Sequence, residues 1–277
     1  MKPQILAAAL LFATTGTASA FDLPPEVQAP EYTGTIAAAS GWYIRGDLGY
    51  NASSSAGKPS WKNYNSATDT YSSDTFDSAR LEGDYSLSAG FGYQFNDFLR
   101  SDLTVDYFKS NFSGNSSTDS RCSSLQNGGT GCAFTHKQAL AVLDVMANGY
   151  IDLGTYWGLT PYLGAGAGIA NIDWGDQHVS KHCTSGTSGC NNWVKYNAKD
   201  YAGVESWRFA YALMAGVSYD IATNYKLDFG YRYSDIAGGD MFDWSKGESS
   251  KGASGVKGTD NGFGRHEIRV GLRMTGW

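Results

Sequence analysis

The feature that most constrains the fold of this 277-residue chain is its final stretch, His266-Glu267-Ile268-Arg269-Val270-Gly271-Leu272-Arg273-Met274-Thr275-Gly276-Trp277. Side chains on a strand alternate between two faces. Ile268, Val270, Leu272 and Met274 therefore share one face, and Glu267, Arg269, Gly271, Arg273 and Thr275 share the other. Oil on one side and ionised groups on the other is the arrangement of a membrane barrel, with lipid outside and a polar lumen inside.

The opposite terminus sets the compartment. Lys2, the apolar run from Ile5 to Ala13 and the small residues Ala18-Ser19-Ala20 have the layout of a secretory signal peptide over residues 1–20, with a mature start at Phe21. A helical anchor needs roughly 20 apolar residues, and no later segment comes near that length. Any crossing of a membrane is then made with strands. Mean hydropathy is only -0.34, as expected when apolar and polar positions alternate. Glycine is enriched, at 35 residues where average usage predicts about 19. The 18 Tyr and 8 Trp suit interfacial girdles.

Period-two patterning predicts eight strands. The first is Gly41–Tyr50, with Trp42, Ile44, Leu48 and Tyr50 outward. The others run over about 84–95, 98–109, 138–153, 158–171, 206–219 and 224–234, and end with the C-terminal segment. Their connections alternate. Asn96-Asp97, residues 154–157 and residues 220–223 are short, whereas 51–83, 110–137, 172–205 and 235–263 are long and rich in Ser, Gly, Asn and Asp. Compact soluble domains seldom carry loops past about 15 residues. Outer-membrane barrels do, as long extracellular loops opposite short periplasmic turns. An even strand number places both termini in the periplasm, with the Pro-containing segment 21–40 as a short arm. The expected fold is an all-β, eight-stranded antiparallel up-and-down barrel over residues 41–277.

The inward positions carry nearly balanced charge. Arg45, Arg208, Lys226, Arg232, Arg269 and Arg273 oppose Asp47, Asp102, Asp106, Asp144, Asp228 and Glu267. Buried charges of this kind must be paired, and eight strands enclose a bore that side chains fill. The expectation is a lumen network of ion pairs and not an open channel. The net charge of -6, with no basic stripe, argues against nucleic acid as a partner.

Several ordered motifs carry a resemblance: Trp42-Tyr43-Ile44-Arg45-Gly46-Asp47-Leu48-Gly49-Tyr50, Asn148-Gly149-Tyr150-Ile151-Asp152-Leu153-Gly154, Thr160-Pro161-Tyr162-Leu163-Gly164-Ala165-Gly166 and Val270-Gly271-Leu272-Arg273. Together they resemble the small outer-membrane β-barrel surface antigens, the opacity-type and porin-like proteins of Gram-negative, alphaproteobacterial envelopes. The resemblance implies a barrel among outer-membrane lipid and lipopolysaccharide, with a structural or host-interaction role; some members are called porins and some bind haem. The ending on an aromatic also resembles the signature read by the barrel-insertion machinery, here Ile268, Val270, Leu272, Met274 and Trp277. Counted from Trp277, the apolar set is shifted by one position, and a bulge at Gly276 is the expected remedy.

Other constellations are weaker. Cys122 and Cys132 fall in the second long connection, and Cys183 and Cys190 in the third. Export favours two disulfides within the loops, with loop-to-loop pairing as the alternative. His178, His182, Cys183 and Cys190 could ligate zinc, but an oxidising compartment favours the disulfide, and no metal or cofactor is expected. Arg45-Gly46-Asp47 sits inside a strand. Gly164-Ala165-Gly166-Ala167-Gly168 lacks the following helix of a phosphate loop and leaves room for bulky inward side chains. His266 has no serine beside it on its face, so a lipid hydrolase is not expected. Asp102, Asp106, Asp144 and Asp152 read as lumen partners and not as catalytic pairs. Trp61, Tyr64, Tyr71, Trp174, Trp193, Tyr196, Tyr201, Phe242 and Trp244, with Lys181, Lys195 and Lys199, read as exposed recognition positions in the loops. The reading is a structural surface protein without catalysis. The alternatives are a narrow porin for small solutes, a lipid A-modifying barrel, or a binder of haem or a host ligand.

Overall fold

The structure is a computed structural model that describes residues 40–118, 132–183 and 196–276. The expected signal segment, nearly all of the arm, and Trp277 lie outside the described residues. In chain order the strands are β1 (Gly41–Ser55), β2 (Ser60–Asn65), β3 (Thr70–Thr75), β4 (Ser78–Leu81), β5 (Asp84–Gln94), β6 (Leu99–Thr118), β7 (Cys132–Asp152), β8 (Leu159–Trp174), β9 (Gln177–Cys183), β10 (Tyr196–Tyr201), β11 (Glu205–Ala222), β12 (Tyr225–Asp243) and β13 (Val256–Thr275). A single helical turn, α1 (Lys246–Ser249), precedes β13.

Eight of these close a ring through antiparallel ladders: β1–β5, β5–β6, β6–β7, β7–β8, β8–β11, β11–β12, β12–β13 and β13–β1. The closing ladder runs from Tyr43↔Thr275 to Asn51↔Glu267. A closed ring leaves no unpaired edge, which is the condition for a sheet in hydrocarbon. Tight turns join neighbours at one end. In residues 95–98 the Asn96 side chain accepts the Phe98 and Leu99 amides at 2.9 and 2.8 Å, an Asx arrangement. This connection is four residues long, not two, because β5 stops at Gln94.

Outward side chains form a belt. Leu48, Leu87, Phe91, Leu103, Leu143, Leu163, Leu213, Phe229 and Val270 are all exposed. From Trp42 to Tyr50, Leu99 to Tyr107 and Leu143 to Ile151 the belt is about nine residues tall, the span of a tilted strand across a bilayer. Aromatic pairs mark its margins: Trp42 meets Tyr93 at 5.1 Å at the short-turn end, and Tyr50 meets Tyr85 at 5.0 Å at the other.

The four long connections are not mainly loops. The β6–β7 ladder continues unbroken from Leu99↔Ile151 to Thr118↔Cys132. β2 and β3 form a hairpin against β13, β4 bridges β1 and β6, and β9–β10 extends β7. The sheet continues because its polarity inverts while its alternation does not. Beyond Asp106 the inward positions of β6 become Phe108 and Phe112, both buried, while Asn111, Asn115 and Ser117 face out. Phe76, Leu81, Leu140, Val142, Ile172, Trp174, Ile236, Met241, Phe242 and Phe263 complete an apolar core at this extended end.

Candidate functional site

The bore of the membrane-height half is filled by stacked ion pairs. Nearest the short turns, Arg273 pairs with Asp228 at 3.2 Å, and Arg100 with Asp152 at 3.1 Å. The Arg100 guanidinium also lies 3.9 Å from the Tyr150 ring centre and 4.9 Å from that of Tyr162. Next, Arg45 bridges Asp47 at 2.6 Å and Asp102 at 3.0 Å. Asp102 further accepts the Tyr43 hydroxyl and the Asn148 amide. Above that, Arg232 spans Asp106 at 2.7 Å and Asp144 at 3.0 Å, while Arg269 contacts Asp106 and Glu267. Arg265, paired with Asp84, covers the Phe108 ring at 3.5 Å and separates the ionic column from the apolar core. The cavity left between Arg45, Tyr150, Asp228 and Arg232 is about 20 Å³, room for one water.

Two of the residues read as members of this network stand apart from it. Arg208 lies at the extended end, where it bonds Asp260 at 2.7 Å and the Asp240 carbonyl at 2.6 Å. Lys226 pairs with Asp220, half-exposed at the short-turn rim. Parity on a strand gives the face and not the height. Arg100, Asp152, Arg265 and Asp84 belong to the column; Arg265 sits one residue before the stretch read as the last strand.

The row of glycines on β8 makes room for β7. A Cβ on Gly164 would meet the Tyr150 ring, one on Gly166 the Asn148 amide, and one on Gly168 the β7 backbone itself. Arg45 and Asp47 turn inward and bond each other, while Gly46 between them faces outward. His266 is exposed on the outer wall, hydrogen-bonded to Tyr231 and packed on Tyr233 at 5.0 Å. Ile268, Val270 and Leu272 are exposed and Met274 half-buried on the same wall. The β1–β13 ladder is regular to Thr275, and Gly276 follows with φ +82°; the expected bulge turns on Trp277, which lies outside the described residues.

At the extended end, three of the aromatics read as exposed are interior, whereas Trp61, Tyr64 and Tyr201 are half-buried and Tyr71 is exposed. Trp174, Phe242 and Trp244 are buried, and Trp61 packs on Phe76 at 4.7 Å. Tyr64 and Tyr71 cluster with Trp244. Folding the connections into strands gave these rings a core to enter. Trp193 and Lys195 lie outside the described residues; Tyr196 and Lys199 fall on β10, and Lys181 on β9. These walls border a partly open cavity of about 550 Å³. Trp61, Phe134, His136, Gln177, Tyr201 and Phe242 line it, with Asp74, Asp77 and the Lys257–Glu248 pair (3.1 Å) at its sides. His136 bonds Ser116 at 3.0 Å, and its burial pushes the imidazole down to about 4. Gln177 is 1% exposed, and neither of its amide atoms has a hydrogen-bond partner. Nothing in the sequence marked this residue.

Cys122 and Cys190 lie outside the described residues, while the backbones of Cys132 and Cys183 stand directly opposite each other across β7 and β9. His178 bonds Asp200 at 2.6 Å. Among the described residues no cluster of metal-ligating side chains occurs.

A closed eight-stranded ring, an apolar belt of bilayer height and an ion-paired bore define a transmembrane β-barrel of the Gram-negative outer membrane type. Residues 73–257 match the family described as Opacity family porin protein, and the chain belongs to that family. It is 38% identical over 279 residues to an uncharacterized protein of Brucella suis, covering 95% of this chain and 94% of that one. An uncharacterized protein of Brucella melitensis matches equally. Among solved structures, neisserial surface protein A aligns over 86% of this chain and 99% of its own, with 17% identity and a TM-score of 0.41.

Proposed function

We propose that the protein is a non-catalytic outer-membrane scaffold and surface antigen whose bore is shut and whose extended end stands outside the cell. In this reading residues 1–20 are removed on export, and the barrel-insertion machinery places the ring among outer-membrane lipid and lipopolysaccharide. Both termini and the short turns lie in the periplasm. The extended end is then the face presented to a host or surface ligand.

The observation that carries the reading is the filled bore. The cavity between Arg45, Tyr150, Asp228 and Arg232 has room for about one water, and each arginine in the column is fixed by at least one carboxylate. The same pairing supports the absence of catalysis, because it leaves no lumen carboxylate poised beside a free acid or base. The family description favours a second reading, a narrow porin. Planar-bilayer recording of refolded protein separates them. A silent bilayer is expected; stable conductance steps that vanish on changing Arg45 or Arg269 would replace the scaffold with a pore. Lipid A acylation, read by mass spectrometry, is expected to be the same with and without the gene.

A further inference from the structure

We propose that the cavity at the extended end is a binding site for uncharged pyranose sugars, as part of an oligosaccharide. The inference rests on the reading of this end as the recognition face and names its ligand class. Three observations converge on it.

The first is size and shape. About 550 Å³ of partly open space lies between β2, β3, β6, β7, β9, β10, β12, α1 and β13, within the range of small-molecule pockets. It is walled by paired backbone rather than by isolated loop tips, so its walls are positioned before a ligand arrives.

The second is an unmet polar requirement. Gln177 is buried to 1% with both its carbonyl oxygen and its amide nitrogen unpartnered, and the His136 Nδ1 is unpartnered as well. A buried polar atom without a partner costs roughly 1–3 kcal/mol, a cost that a hydrogen bond from a ligand in this cavity would remove. The Gln177 amide donates on one side and accepts on the other. A neutral imidazole, the form that burial favours here, can take either role at a given nitrogen. Groups of this kind match hydroxyls, which donate and accept at once. A simple cation would satisfy only the acceptors, and an anion only the donors.

The third is the pairing of flat rings with carboxylates. Trp61 and Tyr201, both half-buried, offer aromatic surface, against which the C–H faces of a pyranose pack. Asp74 and Asp77 stand at the side, held by the Asn63 amide at 2.5 Å and the Ser117 hydroxyl at 2.6 Å. Carboxylates so braced accept hydrogen bonds from vicinal hydroxyls. With Lys257 paired to Glu248, these acids leave the pocket negative, which disfavours sulfated, phosphorylated or sialylated glycans.

The test uses the full mature barrel refolded in detergent, with tryptophan fluorescence and saturation-transfer NMR as readouts. The probes are uncharged disaccharides (cellobiose, lactose, mannobiose), sucrose octasulfate as the anionic arm, and spermidine as the cationic arm. Saturable binding of at least one uncharged disaccharide is expected, weakened by about tenfold or more in Gln177→Leu. Gln177→Leu removes the orphaned amide and is expected to melt no lower than the parent, so loss of binding is separable from loss of fold. Asn63→Ala, on the solvent side, gives a second, milder loss. Binding of none of the uncharged sugars overturns the proposal. So does sugar binding indifferent to Gln177→Leu, or preference for either charged probe. Nanodiscs with long-chain or deep-rough lipopolysaccharide then identify the source. Competition by the long chains alone assigns the site to the envelope's own glycan, and its absence assigns it to a glycan from outside. Conductance is measured on the same preparation, so an open pore would overturn the scaffold reading without touching the sugar result.

Discussion

The two halves of the barrel use one sheet with opposite polarity. At membrane height, Leu99, Leu103, Val105 and Tyr107 of β6 face out while Arg100, Asp102, Thr104 and Asp106 face in. A few residues further along the same strand, Asn111, Ser113 and Asn115 face out while Phe108 and Phe112 face in. The backbone does not change, and the surroundings do. Hydrocarbon outside requires an apolar wall and leaves the bore to ion pairs, whereas water outside requires a polar wall and lets the bore become an ordinary hydrophobic core. The comparison teaches that the inside of a small barrel is specified by what lies beyond its wall.

Breaking the ionic half is expected to have the largest effect. Arg232→Ala leaves Asp106 and Asp144 without their shared partner, and removing one member of a buried pair costs about 3–5 kcal/mol. The urea midpoint for unfolding in detergent and the heat-dependent gel shift are the measurements; a midpoint equal to the parent's would show that the column is not ion-paired in the membrane. The outer wall gives the next effect and sharpens the contrast between halves. Leu103→Arg places a charge on the belt, at a cost of about 2–4 kcal/mol near the midplane. Asn111→Arg, at the same parity on the same strand, is expected to fall within about 0.5 kcal/mol of the parent. Equal costs at the two positions would mean that lipid and water do not meet the sheet where the polarity inverts.

Half of this was legible in the sequence. The period of two gave the inward and outward faces at membrane height, because apolar and ionic residues there keep to opposite parities. The upward reach of the strands was hidden by the inversion. Phe108 and Phe112 share the parity of Asp106, so a rule of polar-inside ends the strand at the point where its core begins. Ser, Asn and Gly on β6 and β7 have little strand preference of their own, and the ladder to their neighbours holds them extended. Height along the bore was equally hidden: Arg208 and Lys226 share the inward parity of the column but pair with Asp260 and Asp220 at opposite ends. Gln177 carried no signal because its distinguishing property, burial without a partner, exists only once the walls are assembled.

A covalent difference between the halves comes next. Cys132 and Cys183 face each other across β7 and β9 at the extended end. Directly opposed residues in an antiparallel ladder have Cα atoms about 4.5–5.5 Å apart, within the roughly 4.4–6.8 Å that a disulfide spans. Peptide mapping under non-reducing conditions is expected to link Cys132 with Cys183, tying β7 to β9, and leave Cys122 with Cys190. Recovery of Cys122–Cys132 and Cys183–Cys190 would return the bridges to the individual loops. Reduction is expected to loosen the extended end by about 2–4 kcal/mol and leave the membrane half intact.

The most gradual effect is a pH dependence confined to the extended end, spread over about 2.5 pH units. His136 lies among Trp61, Phe76 and Phe134, and burial holds its imidazole at about 4, against an ordinary value near 6.5. Above 6.5 the ring is neutral in the folded and unfolded chain alike, and it contributes no slope. Between 6.5 and 4 the unfolded chain binds a proton that the folded chain refuses. Stability therefore falls as the pH falls, by up to about 1.4 kcal/mol per pH unit, and the loss levels off below 4. His136→Phe keeps a flat ring in the stack and removes the titration. The difference between the two proteins in urea midpoint, followed from pH 7 to pH 4, is the quantity to measure. A difference that grows as the solution is acidified is expected. A constant difference would place the imidazole in water, and with it the wall of the cavity.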